Sequence, residues 1–313
     1  MNPRTNIGAS VHQRLKNAAE KSARTFNDLA QYYALERWLY RLSCSRYARD
    51  FVLKGALMLV AWRAPILRAT RDIDLLARMS NDLDKIIEAV ATVCRTEVAE
   101  DGVIFDAETV TTERIAEDAD YEGVRANFRG QLATTRLAMQ IDFGFSDVIT
   151  PGPVEITYPT ILDYPAPVLL AYNRETALAE KFEAMVSLGR LNSRMKDFFD
   201  VWLLANSSDF RGEDLQAAVT ATFQRRGTPL VGEPQVFSQE FALDPSKQTQ
   251  WAGFVKRMRP TQAPAEFSQA VAVIRSFMVP LHEAAIKGTN FSAEWKHPGP
   301  WRQLKPTLTP RTD

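Results

Sequence analysis

Cysteine is scarce in this chain. It occurs twice in 313 residues, as Cys44 and Cys94, far apart and without zinc-ligand spacing. That pattern excludes a disulfide framework and a cysteine zinc site, and predicts reduced thiols. Histidine is nearly as rare, and His12, His282 and His297 sit in no arrangement that suggests general-base catalysis. Any active site is therefore expected to work without one. Net charge is also lacking, since 38 Lys and Arg balance 38 Asp and Glu. This removes a global attraction to nucleic acid but leaves room for a local basic surface. The longest apolar stretch, GALMLVAW, falls far short of the roughly 20 residues a membrane helix needs. The opening MNPRTNIGASVHQRLKN holds no signal-peptide core, so a cytoplasmic location is expected. No internal repeat is visible.

What is present is ordinary globular composition, 45% hydrophobic and 24% charged, on a chain long enough for two domains. The first fifty residues carry helical spacing in Val11, Leu15 and Ala18, then Phe26, Leu29, Tyr32, Tyr33, Leu39 and Leu42. DFVLKGALMLVAW reads as a short strand, a turn at Gly55 and a helix. RDIDLLAR reads as a strand, and DLDKIIEAVATVC as an amphipathic helix opened by Asp82. From about Val103 to Tyr158 the period becomes two, predicting a mostly antiparallel sheet. Helical patterns return at 174–189, 194–206, 212–225, 246–258 and 264–287, with 225–239 a loop by its Gly and Pro content. The expected organisation is α+β: a mixed-sheet domain with N-terminal helices over 1–165, a helical domain over 166–290, and an extended tail over 291–313.

The chemistry centres on RATRDIDLLAR. On a strand, Asp72 and Asp74 share one face while Ile73 and Leu75 share the other. Their Cα atoms then lie roughly 6.5–7 Å apart, near enough for both carboxylates to hold one hard cation. Two such carboxylates repel, and a divalent ion removes that cost. The plainer alternative is a solvated strand end paired with Arg68, Arg71 or Arg78. In TRLAMQIDFGF, Leu137, Met139, Ile141 and Phe143 form the apolar face and Ala138, Gln140 and Asp142 the other. Asp142 is thus a third candidate carboxylate, or simply a solvent-facing residue. Gly55 is either a plain tight turn or a turn whose free N–H groups meet a phosphate. Further on, Lys181 interrupts an apolar helix stripe of Ala177, Ala184 and Leu188, with Leu178, Phe182 and Met185 beside it. A lysine there needs a partner, a phosphate ligand, or a route to solvent along its stem. Asp197 lies on the side of its helix that carries Val201 and Leu204. Asp200, at i+4 from Lys196, reads as a surface pair.

The order strand–Gly–helix, D-x-D, later strand aspartate resembles the nucleotidyltransferase superfamily typified by DNA polymerase beta. FVLKGALML…RATRDIDLL and ETALAEKFEAMVSLGRLNSRMKDFFDVWLL resemble the first motif and the AEK…KDxxD segment of the AbiEii/AbiGii nucleotidyltransferase toxins. The matched segments span roughly residues 50 to 205. The resemblance implies a polymerase-beta-like fold and attack of an acceptor oxygen on the α-phosphate of an NTP, releasing pyrophosphate. It implies Mg²⁺ or Mn²⁺ on Asp72, Asp74 and Asp142, nucleotide contacts from Gly55, Thr70, Arg71 and Lys181, and a catalytic role for Asp197. It also implies an RNA acceptor, above all the 3′ end of tRNA, with arrested translation as the result and an antitoxin as partner. Gly55-Ala56 departs from the Gly-Ser of many superfamily members, so a serine contact to phosphate is missing. Arg190, Arg194 and Lys196 are the expected RNA-binding patch, with Lys256, Arg257 and Arg259 as possible additions. Two rivals stand beside this reading: transfer to a protein or small molecule, and a binding module without catalysis.

Overall fold

The computed structural model describes residues 6–22, 24–64, 70–118, 121–230, 232–258 and 263–304. They form two compact units. The first runs to Tyr172, and the second begins at Asn173 and takes in Val148–Gly152.

The first unit opens with α1 (Ile7–Lys21) and α2 (Phe26–Cys44). Asn6 and Thr25 cap them by accepting from Ala9 N and Asp28 N, satisfying backbone donors that a helix start leaves open. Then come β1 (Phe51–Lys54), the single-turn α3 (Leu57–Ala61), β2 (Asp72–Ala77), α4 (Leu83–Arg95), β3 (Val103–Asp118), β4 (Tyr121–Leu132), β5 (Thr135–Phe145), β6 (Val154–Thr157) and β7 (Val168–Ala171). The strands make one sheet in the order β3-β4-β5-β2-β1-β7-β6. Only β2–β5 and β1–β7 are parallel, so the expected mixed, mostly antiparallel sheet is present.

One face of that sheet is apolar. Val124, Ala126 and Phe128 on β4 and Leu137, Met139, Ile141 and Phe143 on β5 are buried. They share the core with Trp38 and Leu39 of α2 and Ile86, Val90 and Val93 of α4. Helix α2 is buried through most of its length, including charged residues that therefore need partners. Arg41 meets Asp101 through both terminal nitrogens, at 2.7 and 3.0 Å. The strand β7, paired with β1 on one side and β6 on the other, went unpredicted: the residue types of PVLLA are apolar throughout, although Leu169 and Ala171 are buried and Val168 is exposed. Its pairing carries the first unit past the boundary expected near residue 165.

The second unit contains α5 (Arg174–Leu188), α6 (Met195–Ser207), β8 (Phe210–Arg211), α7 (Gly212–Arg226), α8 (Gln239–Ala242), α9 (Pro245–Met258), α10 (Phe267–Ile286), β9 (Ala293–Trp295) and β10 (Trp301–Gln303). Its core is aromatic, with Phe182, Phe198, Phe199, Phe223, Trp251, Phe267 and Phe277 buried. The expected extended tail is partly folded: β10-β9-β8 make a three-stranded sheet. Trp301 stacks on Phe277 and donates to its carbonyl at 2.8 Å, and Trp295 donates to Ala205 O. Pro298 and Pro300 fall between its strands, while its tryptophans have apolar surface to bury. Arg68, Arg259 and 305–313 lie outside the described residues. Among the described residues, no helix is long and apolar enough to cross a membrane.

Candidate active site

The central strand β2 sits between β1 and β5. Its register sets Asp74 opposite Asp142 on one side and Lys54 on the other, and Asp72 opposite Gln140. Ile73 and Leu75 point into the core and are fully buried, so alternation sends both aspartates to the opposite, half-exposed face. Asp72, Asp74 and Asp142 each offer an oxygen within 4.8 Å of the others'. Three carboxylates converging this closely are a hard-oxygen donor set that fits a divalent cation.

Each carboxylate is positioned by neighbours. The Thr70 hydroxyl donates to Asp72, and Thr70 N donates to the Tyr32 hydroxyl at 3.1 Å. The hydroxyl expected near phosphates therefore orients a carboxylate. Asp74 is walled by the turn after β1. A Cβ on Gly55 would lie 1.9 Å from Asp74 Oδ2, and Gly55 adopts φ +72°. Glycine is required twice over there, for space and for backbone conformation. Ala56 is buried and, lacking a side-chain hydroxyl, makes no cap at the start of α3. Asp142 accepts two bonds from Arg125, Nε–Oδ1 and Nη2–Oδ2 both at 2.8 Å, and two longer ones from Gln140. The Asp142 carboxylate, by hydrogen bond and by charge, raises the pKa of Arg125. Arg125 takes one lone pair of each Asp142 oxygen, and the second is met only by the longer Gln140 contacts, at 3.2 and 3.3 Å, which a cation ligated there would replace. Lys54 is buried and bonds Asp147 at 2.9 Å. Arg71 is exposed, with its carbonyl 3.5 Å from Gln31 Nε2.

Arg125 is a residue that sequence reading missed. EGVRANFRG does alternate, with Val124, Ala126 and Phe128 inward and Arg125, Asn127 and Arg129 outward. Only the register of β4 on β5 brings Arg125 to Asp142.

In the second unit, Lys181 is bracketed by two acids: Nζ lies 2.7 Å from Asp197 Oδ1 and 2.9 Å from Asp200 Oδ2. Asp200 is 1% exposed, so it is a buried partner of Lys181 and not the surface pair expected with Lys196. The helix turns α6 so that both i and i+3 of KDFFD face α5. Arg194 Nε approaches Asp197 Oδ2 at 3.0 Å. Burial pushes the Asp197 carboxyl up, but the charges of Lys181 and Arg194 outweigh it and hold the group below its ordinary value. Leu178, Phe182 and Met185 form the buried stripe beside Lys181. Glu183, also unforeseen, is buried and pairs with Arg226 at 2.9 Å.

The expected basic patch has two of its charges already matched. Arg190 pairs with Glu240 and Arg194 with Asp197, while Lys196 is exposed. Lys256 and Arg257 are exposed on α9.

Residues 37–273 match the family model described as the nucleotidyl transferase AbiEii toxin of type IV toxin–antitoxin systems. Among curated proteins, none shows significant similarity to the chain. Solved structures of similar shape include the nucleotidyltransferase toxin MenT4 of Mycobacterium tuberculosis H37Rv. It is 15% identical, with 89% of this chain and 99% of that one covered and a TM-score of 0.48. JHP933 of Helicobacter pylori is 13% identical, covering 82% and 94%, with a TM-score of 0.46.

Proposed function

The chain belongs to the family of AbiEii nucleotidyl transferase toxins of type IV toxin–antitoxin systems, and on that premise we propose that it transfers a nucleoside monophosphate from an NTP to an RNA 3′ end. The acceptor we favour is tRNA, whose blocked end would arrest translation in the cytoplasm until a cognate antitoxin restrains the toxin. The observation that supports this reading most is the convergence of Asp72, Asp74 and Asp142 on one open sheet face.

In this reading Asp72, Asp74 and Asp142 hold Mg²⁺ or Mn²⁺. When bound, such a cation supplies charge against the triphosphate and lowers the pKa of an attacking hydroxyl. The chain's own residues do the positioning. Thr70 fixes one oxygen of Asp72, and Arg125 with Gln140 fixes the plane of the Asp142 carboxylate. Gly55 keeps the space beside Asp74 clear. Arg71, exposed and cationic, is proposed as a phosphate contact. Lys181 is proposed as a phosphate-binding cation in the second unit, held in place by Asp197 and Asp200.

The test is incubation with each labelled NTP, Mg²⁺ and total RNA, resolving products by size, with protein and small-molecule acceptors in parallel. Label is expected in small RNA. Asp72→Ala or Asp74→Ala should abolish it while thermal stability holds or rises, since like-charge repulsion is relieved. Full activity in either variant overturns the cation assignment, and label confined to protein or a small molecule overturns the RNA acceptor.

A further inference from the structure

The face that carries the three carboxylates continues beyond them. From Asp142, β5 presents Gln140, Ala138 and Arg136 on the same side, a span of about 20 Å at the strand rise. Cross-strand partners share a face, so β4 adds Asn127 beside Gln140, Arg129 beside Ala138 and Gln131 beside Arg136. Strand β3 adds Thr111 beside Asn127, Asp106 beside Arg129 and Ile104 beside Gln131. Arg129, Arg136, Ala138 and Ile104 are all exposed.

Two grooves border this face. Strand β2 begins only at Asp72, so the edge of β5 before Gln140 has no strand beside it. A groove of about 440 Å³ occupies that edge, lined by Gln31, Arg71, Asn127, Arg136 and Gln140 among others. A second, of about 1010 Å³, shares Arg136, Leu137 and Ala138 with it and extends to Arg129 and Ile104. The two adjoin as one trough along β5 that starts at Gln140, the register partner of Asp72.

The trough has a particular chemistry. Arg125 and Arg95, nearby, are spent on Asp142 and Glu108. Arg71, Arg129 and Arg136 have no carboxylate within ion-pair distance among the described residues. The half-buried Asn127 amide has no side-chain hydrogen bond there either. Gln140 uses its amide nitrogen on Asp142, leaving its oxygen to accept. Ile104 is 71% exposed at the far end. Arginines able to meet phosphates or stack on bases, and amides able to donate and accept at a base edge, are components of single-strand recognition. An acidic protein would be served by the arginines but would leave the amide pair at the carboxylates without purpose.

We propose that this trough seats the single-stranded 3′ end of the RNA acceptor. The terminal nucleoside lies against Asn127 and Gln140, beside Asp142, and the preceding phosphates meet Arg136 and Arg129. The inference rests on the RNA reading above and adds where the strand lies.

The experiment measures anisotropy of a 5′-fluorescein-labelled single-stranded oligoribonucleotide with a free 3′ end, titrated with full-length protein across a salt series. Each phosphate contact on a single strand contributes about −0.7 to the slope of log K against log salt. The double variant Arg129→Gln/Arg136→Gln is therefore expected to flatten that slope by roughly 1.4. Asn127→Ala should weaken binding equally at all salt concentrations, without changing the slope. Arg275→Gln, which removes an exposed arginine already paired with Glu233, should change neither. In steady state the double variant should raise KM for RNA, with the NTP-induced rise in Tm intact. If wild type labels RNA and the double variant keeps the wild-type slope and KM, the trough is wrong and the RNA reading stands. If the double variant loses the NTP-induced rise, the arginines do not act on the acceptor and the proposal falls. If wild type neither binds nor labels RNA, or labels only protein, both fall together.

Discussion

Gly55 shows how narrowly one residue can be determined. Its positive φ and its closeness to Asp74 each demand glycine, and the second demand belongs to the proposed cation site. Gly55→Ala would add about 1–2 kcal/mol of backbone strain. It would also displace a carboxylate, with divalent-ion affinity falling about 10–100-fold, as when a supporting neighbour of a metal ligand is lost. Calorimetric titration with Mn²⁺ measures this directly, and unchanged affinity would show that Asp74 is not a ligand. Arg125 works differently, since it is selected by what faces it. Its guanidinium can match both oxygens of Asp142 at once, which a lysine in the same place could not do.

At the scale of elements, α5 and α6 are joined by a charge cluster as well as by their apolar stripes. Lys181 neutralises two buried acids, and removing one partner of such a group costs about 3–5 kcal/mol. Lys181→Met is therefore expected to destabilise the protein as well as to impair NTP use. The pH dependence separates the two effects. In wild type the folded pKa of Asp197 is depressed, so its contribution is present above the unfolded value and is lost as pH falls through the folded one. In the variant, burial no longer meets the opposing lysine, and the folded pKa rises. The gap in Tm between the two proteins should then be widest at neutral pH and close as pH falls through about 4. A gap independent of pH would mean that Lys181 does not govern Asp197.

For the whole molecule, the balance of charge means that recognition must be local. Zero net charge gives no overall attraction to an anion, so a site for phosphates depends on which arginines have no carboxylate within ion-pair distance. Ligand binding should register in global stability. With NTP and Mg²⁺ at a hundredfold excess over Kd, linkage adds about 2.7 kcal/mol. Tm should rise accordingly, and EDTA or Asp74→Asn should remove the increment. A rise that survives both would place nucleotide binding away from the carboxylates.

Some of this was legible in the chain as written. The 3.6-residue period located α5, α6, α7, α9 and α10, and the alternation in RDIDLL and RLAMQIDFGF put Asp72, Asp74 and Asp142 on polar faces. Those are properties of a segment by itself, because side-chain direction follows from local backbone geometry. Tertiary structure decided the remainder. The register of β4 on β5 gave Asp142 its arginine, and the approach of α6 to α5 gave Lys181 a second buried acid in Asp200. The pairing of Arg190 with Glu240 neutralised a charge that the sequence presents as free. Strand β7 is apolar in every residue type, and only its pairing with β1 and β6 marks it as a strand. Each of these depends on residues far apart in sequence, and register or ion pairing is a relation between segments that neither segment encodes alone.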